Sequence, residues 1–362
     1  MVKKLYTQIK TWYEKYERLL LPATLVFGVI VDFITFSSIQ INYAFVILGL
    51  HTLFVGAVIA YLNAHDAGLF KKENRTFAFI RLVCPLAIQF SFGALLSASF
   101  IFYFFSGSFY VSWPFILLIV ILMVSNDVFR EYYLRARVQV GMYFFLLFST
   151  FAIVLPFALQ KLGAWIFLLS GGLSLLVIFA YLFALSHYIH EIKINIKSFT
   201  KPIAIIFIVI NALYFLNIIP PIPLSLRDSA VGHSISASNG AYTILMEEES
   251  FLERILPGQT IHKKMGETIA VYTAIFAPGS LKTDIYHHWQ YKENGKWISK
   301  DILSYGIFGG RKDGFRGYSI KSDVPEGKWR VDVQTGRGQV LGRVRFDVVE
   351  IEETPLLIEV AK

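Results

Sequence analysis

Hydrophobic residues gather in seven long runs before Pro220, at about 19–37, 43–62, 82–105, 109–126, 138–159, 163–185 and 202–219. Each approaches the roughly 20 residues that carry a helix across about 30 Å of hydrocarbon. Gaps as short as Ser38–Asn42 and Ser106–Ser108 suit hairpins of antiparallel helices. Trp113 and Trp165 stand near run ends, where aromatic belts mark the membrane–water interface. Past Pro220 the period changes. Pro220, Pro221 and Pro223 cannot continue a helix and imply a stiff exit. Beyond them lie short alternating stretches at Thr268–Phe276, Asp284–Lys292, Trp297–Leu303 and Phe315–Lys321, and around Trp329 and Val344. Asn294-Gly295 is a two-residue hairpin signal, and Thr335-Gly336-Arg337-Gly338 marks a second turn. The pattern predicts a polytopic α-helical membrane bundle of seven transmembrane helices followed by a C-terminal all-β sandwich. The expected divisions are a basic segment 1–18, a transmembrane domain 19–219, a Pro-rich linker 220–227 and a sandwich 228–362.

Charge orients this plan. Only 17% of the 362 residues are charged, against about 25% in soluble domains. The net charge is +8. Residues 1–220 hold 16 Lys+Arg and 8 Asp+Glu, which is all of it; residues 221–362 hold 18 of each. A neutral polar half argues against a nucleic-acid partner. If seven helices alternate, the bases of the leader (Lys3 to Arg18) and of the gaps 71–81, 130–137 and 193–201 fall on one side, and Lys161 alone on the other. The positive-inside rule then puts the amino end in the cytoplasm and everything after Pro220 outside. The leader is too long for a cleaved signal peptide and has Leu5, Ile9, Trp12, Tyr13 and Tyr16 at helical spacing, as a basic amphipathic helix on the inner surface or a simple extension of the first helix.

Ionisable groups within spans are costly and point to function. Asp32, with Thr35 one turn on, and His51 are the clear cases. Pairing inside the bundle is the bland reading, and a proton or ion relay the sharp one. The even helices end in polar groups: Asn63, His65 and Asp66; Asn126 and Asp127; His187, His190 and Glu191. His65, Asp66, His187 and His190 are acceptable metal ligands, but polar helix ends at an interface are also the norm.

In the β half, His287 and His288 are adjacent and must point to opposite faces of a strand. If Trp289 is core, His287 is a hydrogen-bonded core residue and His288 is outside with Tyr286 and Gln290. The stretch Gly309 to Ser319 combines four glycines with Arg311, Arg316 and Tyr318. Two arginines there can clamp a carboxylate or phosphate, or simply decorate a glycine-kinked hairpin. Together with His288 these form the candidate ligand-binding set. The single cysteine, Cys84, allows no intramolecular disulfide. No Walker, zincin or Gly-x-Ser-x-Gly pattern occurs, so no catalytic residue and no cofactor is assigned.

The run Ile219-Pro-Pro-Ile-Pro-Leu-Ser-Leu, the His287-x-Trp289 pair, Gly309-Gly-Arg through Arg316-Gly-Tyr-Ser, Gly327-Lys-Trp-Arg-Val-Asp-Val and Gly338-Gln-Val-Leu-Gly-Arg-x-x-Phe346 occur together. In combination they resemble the bacterial domain of unknown function twenty-nine-fourteen, over about 219–348 and, more loosely, the membrane half through Asp32-x-x-Thr35. The resemblance implies a bacterial envelope protein and supplies no activity. The expected partners are the lipid bilayer and an envelope protein or anionic ligand held by the sandwich. The alternative is a transporter or membrane-embedded enzyme using Asp32, His51 or the cytoplasmic helix ends. A bundle without a polar cavity favours the first. A wet cleft reaching Asp32 or the His65–His190 region favours the second.

Overall fold

The computed structural model describes residues 26–34, 41–70, 75–238, 241–248, 258–279, 281–310, 314–353 and 355–362. The basic leader and most of the first run lie outside them. Helical residues 26–34 (α1) are followed by α2 (Ile41–Asp66), α3 (Arg75–Phe105), α4 (Phe109–Val128), the short α5 (Arg130–Tyr133), α6 (Ala136–Leu159), α7 (Ala164–Tyr188), the short α8 (His190–Ile194) and α9 (Ile196–Phe215). Six of these, α2, α3, α4, α6, α7 and α9, contain stretches long and apolar enough to cross a membrane. The chain divides into two compact units.

The first unit holds residues 1–102, 114–155 and 164–213. Its middle is α6, whose apolar window is 61% buried inside the protein, against 22–33% for the other five. Those five turn side chains such as Leu53, Phe90, Leu176 and Phe183 outward, which a lipid solvent requires. In lipid, helices associate through small residues and hydrogen bonds rather than hydrophobicity. Asn63 on α2 accordingly donates to Gln139 Oε1 on α6 at 3.0 Å. Thr52 meets Thr150 at 3.3 Å and Ser99 meets Ser149 at 2.9 Å. Gly56 admits the Tyr143 ring where any side chain would collide, and its carbonyl accepts the Tyr181 hydroxyl at 2.8 Å.

The second unit joins the helix-hairpin ends 103–113 and 156–163 to residues 214–362. The expected linker is not a tether. Asn217, at φ +58°, ends α9 in the left-handed conformation. The backbone then runs buried from Ile219 to Ser225, and Leu224, fully buried, joins the β core. β1 (Ser225–Gly232) thus starts inside the span assigned to the linker. It is followed by β2 (Ser234–Ser238), β3 (Ala241–Glu247), β4 (Gln259–Lys263), β5 (Ile269–Phe276), β6 (Lys282–Glu293), β7 (Lys296–Phe308), β8 (Phe315–Lys321), β9 (Gly327–Thr335), β10 (Val340–Glu350) and β11 (Leu357–Ala361).

Among the described residues they form three sheets, ordered β1-β5-β8, β4-β10-β9-β6-β7 and β11-β3-β2. The first two share one hydrophobic core, in which alternate residues of β5, β6, β9 and β10 meet. Trp289 packs edge-on against Trp329 and Phe346, with ring centres 6.4 and 6.0 Å away. Leu162, from the 156–163 hairpin end, packs on the same cluster. Asn294 and Gly295, both at positive φ, turn β6 into β7, as the hairpin signal requires. At Gly317 the Tyr305 ring occupies the space of a side chain.

Candidate functional site

The sequence candidates separate into three places. The first is a cleft of about 640 Å³ in the helical unit. Along α3 its wall is one helical stripe, Leu86, Gln89, Phe90, Gly93, Ala94 and Ser97, spaced as one face of a helix. Asp32 faces it from α1, with its carboxylate beside the Ser97 hydroxyl. Asn126 and Asp127 complete it at the end of α4. Asn126 donates to the Gln89 carbonyl at 3.0 Å, and Gln89 donates to Asp127 at 3.3 Å. The Asn126 side chain is 1% exposed, and its Oδ1 is left without a donor. Among the described residues no lysine, arginine or histidine lines the cleft. His51 sits half-buried against Phe90, ring centres 6.2 Å apart. Thr35 lies outside the described residues.

The second place is the set of helix ends considered for a metal. The structure does not gather His65, Asp66, His187 and His190. Asp66 is held by Arg81 at 3.0 Å, and His65 stacks among Tyr61 and Phe70. His187 and His190 are exposed on α7 and α8. Among the described residues no three His, Cys, Asp or Glu side chains come together as metal ligands. A cleft of about 470 Å³ near these ends is lined by Asn63, Asp66, Arg135, Arg137 and Glu191, but not by the histidines.

The third place is the β domain. Arg311 lies outside the described residues, so no arginine clamp is seen. Arg316 stands on β8 opposite Ala274, and Tyr318 packs edge-on against Tyr242. His287 is fully buried. Its Nε2 meets Thr273 Oγ1 at 2.9 Å and its Nδ1 meets Ser319 Oγ at 2.8 Å, while Trp289 Nε1 donates to the same Ser319 oxygen at 3.0 Å. Tyr305 closes the chain on Thr273. Trp289 can only donate, so Ser319 accepts there, and its second lone pair and its proton let it partner Nδ1 in either tautomer. The neutral ring has both nitrogens satisfied. Burial pushes His287 down to about 4. This is a structural knot of the core.

His288 lies on the opposite face and is half-buried there rather than free in solvent. Its Nε2 meets Ser299 at 2.8 Å and its Nδ1 accepts from Gln290 at 2.9 Å. Burial lowers its proton affinity; Asp332 opposes that and Arg330 adds to it. The same face carries Arg330, Asp332, Arg343 and Arg345. Their alternation is visible in the sequence, but their cross-strand pairing is not. Gln89 and Ser97 are also new, although Gln89-x₃-Gly93-x₃-Ser97 is a polar helical stripe inside an apolar run.

Residues 282–348 match the profile of the family described as "Protein of unknown function (DUF2914)". The matched stretch lies in the C-terminal region and includes His287, Trp289, Tyr305, Ser319 and the arginine face, while Thr273 lies before it. No curated protein matches the chain. Among solved structures, an immunoglobulin-like protein from Pseudomonas aeruginosa is 12% identical, covering 35% of this chain and 96% of its own, at a TM-score of 0.21. The alkylpurine DNA glycosylase AlkC from Pseudomonas fluorescens is 11% identical, covering 83% and 99%, at 0.23. Neither score marks a shared fold.

Proposed function

We propose that the chain is a bacterial inner-membrane protein of seven spans, cytoplasmic at its amino end, with a periplasmic β sandwich. In this reading the helical unit admits a small cationic or hydrogen-bond-donating solute into the α1–α3–α4 cleft. The cleft carries the proposal: within apolar helices it offers the Asp32 and Asp127 carboxylates and the undonated Asn126 carbonyl, with no basic group among the described residues of its wall. A buried acceptor without a donor, as Asn126 Oδ1 is, is expensive in hydrocarbon unless water or a ligand supplies one. The division of the chain supports the topology, since the hairpin ends expected outside, 103–113 and 156–163, cluster with the β domain.

Two experiments test this. In a Cys84→Ser background, Ser97→Cys should react in membranes with a membrane-impermeant cationic thiosulfonate about tenfold faster than with an anionic one. Asp32→Asn should shrink that ratio. A thiol that reacts only after denaturation means a dry, lipid-filled groove and ends the reading. A reporter active only outside the cytoplasm should work after Lys362 and fail after Lys197; the reverse pattern refutes the topology.

A further inference from the structure

The outer face of the β4-β10-β9-β6-β7 sheet holds more positive charge than it neutralises. Strand register builds two rows across it. Arg345 of β10 stands opposite Arg330 of β9, which stands opposite Gln290 of β6. In the next row Arg343 stands opposite Asp332, which stands opposite His288. Like charges directly opposite each other repel.

Asp332, 3% exposed, is committed to Arg343 through a two-pronged contact of 2.6 and 2.8 Å. Its carboxylate is 4.0 Å from Arg330 Nε, which donates instead to Gln290 Oε1 at 2.8 Å. Beyond this, Lys328 and Asp347 pair with each other at 3.5 Å. Among the described residues Arg345 has no carboxylate within 4.0 Å, and its Nε is buried without a hydrogen-bond acceptor. Its guanidinium rests on the Tyr110 ring at 4.4 Å, with Arg343 6.0 Å from the same ring. Three arginines therefore face one carboxylate on a half-buried surface. Burial lowers the proton affinity of Arg330, the Arg343 and Arg345 charges add to that, and Asp332 opposes it.

We propose that Arg345, with Arg330 and Arg343 beside it, binds a phosphate group against Tyr110. A guanidinium fork matches the paired oxygens of phosphate, and two uncompensated positive charges match its negative charge. Two sources share this chemistry, a phospholipid headgroup and a soluble phosphate. Tyr110 belongs to the first turn of α4, a candidate span, where Phe109, Tyr110 and Trp113 are each more than half exposed. Such aromatics mark the level of lipid headgroups. The proposal is independent of the cleft.

The test uses the full chain in a neutral detergent and follows its unfolding midpoint and lipid adducts in native mass spectrometry. Two probes are added separately, dioctanoyl phosphatidylglycerol and inorganic phosphate, with dioctanoyl glycerol as the phosphate-free control. At least one phosphate probe should raise the midpoint of the wild type, and the glycerol control should not. Arg345→Ala should weaken that response about tenfold, and Arg345→Lys should restore only part of it. Lys300→Ala, which removes a positive charge elsewhere in the domain, should leave it intact. Without probe, Arg345→Ala should shift the midpoint little, because the lost Tyr110 stacking is offset by relief of the repulsion from Arg330 and Arg343. If Arg345→Ala fails to fold, Arg345→Gln replaces it. A response to the lipid alone identifies a headgroup site, and an equal response to both probes a soluble phosphate site. No response to either probe, or an unchanged response in the arginine variants, overturns the proposal.

Discussion

Acidification from pH 6.5 to 4 should remove about 3 kcal/mol from the stability of the β domain through His287 alone. The residue is fully buried, its two ring nitrogens are satisfied by Thr273 and Ser319, and burial holds its pKa near 4. In the unfolded chain the ring titrates near the ordinary 6.5. Between these values the unfolded state binds the proton and the folded state does not. The stabilisation is therefore complete above about 6.5, falls as pH drops, and is spent below about 4. Protonation would also make both ring nitrogens donors, and Ser319 already receives the Trp289 N–H.

Denaturant titrations monitored by the fluorescence of buried Trp289 and Trp329 give the measurement, wild type against His287→Gln, at fixed ionic strength. Other groups contribute equally to both proteins, so the decisive quantity is their difference. It should change by about 3 kcal/mol across the window. Parallel curves would show that His287 is already reached by solvent.

The parts of this molecule that are legible from sequence are those where one local pattern decides the outcome. Apolar runs of about 20 residues leave few alternatives to a spanning helix. Asn294-Gly295 fixes its hairpin because both positions need positive φ. His287 is read as core because alternation ties it to Trp289. Strands such as β2, Ser234-Ile-Ser-Ala-Ser, were not legible. Their residues are small and polar, and pairing with β3 rather than burial pattern makes them strands. β4 is extended because it adds in parallel to β10, a long-range contact. The exit at Pro220–Pro223 reads as a linker because proline is common in linkers; that Leu224 enters the core depends on tertiary packing.

The sites follow the same rule. Asp32 is visible as a charge in an apolar run, but its neighbours in the cleft come from α3 and α4. The arginines of β9 and β10 look like the solvated half of an alternating strand. Only the register places Arg345 opposite Arg330 and gives both Arg343 and Arg330 a single acid to share.

That shared acid gives the other large expected effect. Asp332→Asn should lower β-domain stability by about 3 kcal/mol, the lower end for removing one partner of a buried ion pair. The carboxylate side chain is 4% exposed and Arg343 12%, so water does little to replace the lost contact. Asparagine keeps the shape and offers one carbonyl, but leaves Arg330, Arg343 and Arg345 without a negative charge among them. The double variant Asp332→Leu with Arg343→Met should recover much of the loss, because an apolar pair of similar volume carries no desolvation cost. Denaturant midpoints of wild type, Asp332→Leu, Arg343→Met and the double variant form the cycle. Inorganic phosphate should stabilise Asp332→Asn more than wild type if the arginines bind it, since the added anion then faces three unpaired guanidinium groups. If the single variant instead lies within about 0.5 kcal/mol of wild type, the Arg343–Asp332 contact is screened like a surface pair, and the arginine face is open to water rather than held in charge imbalance.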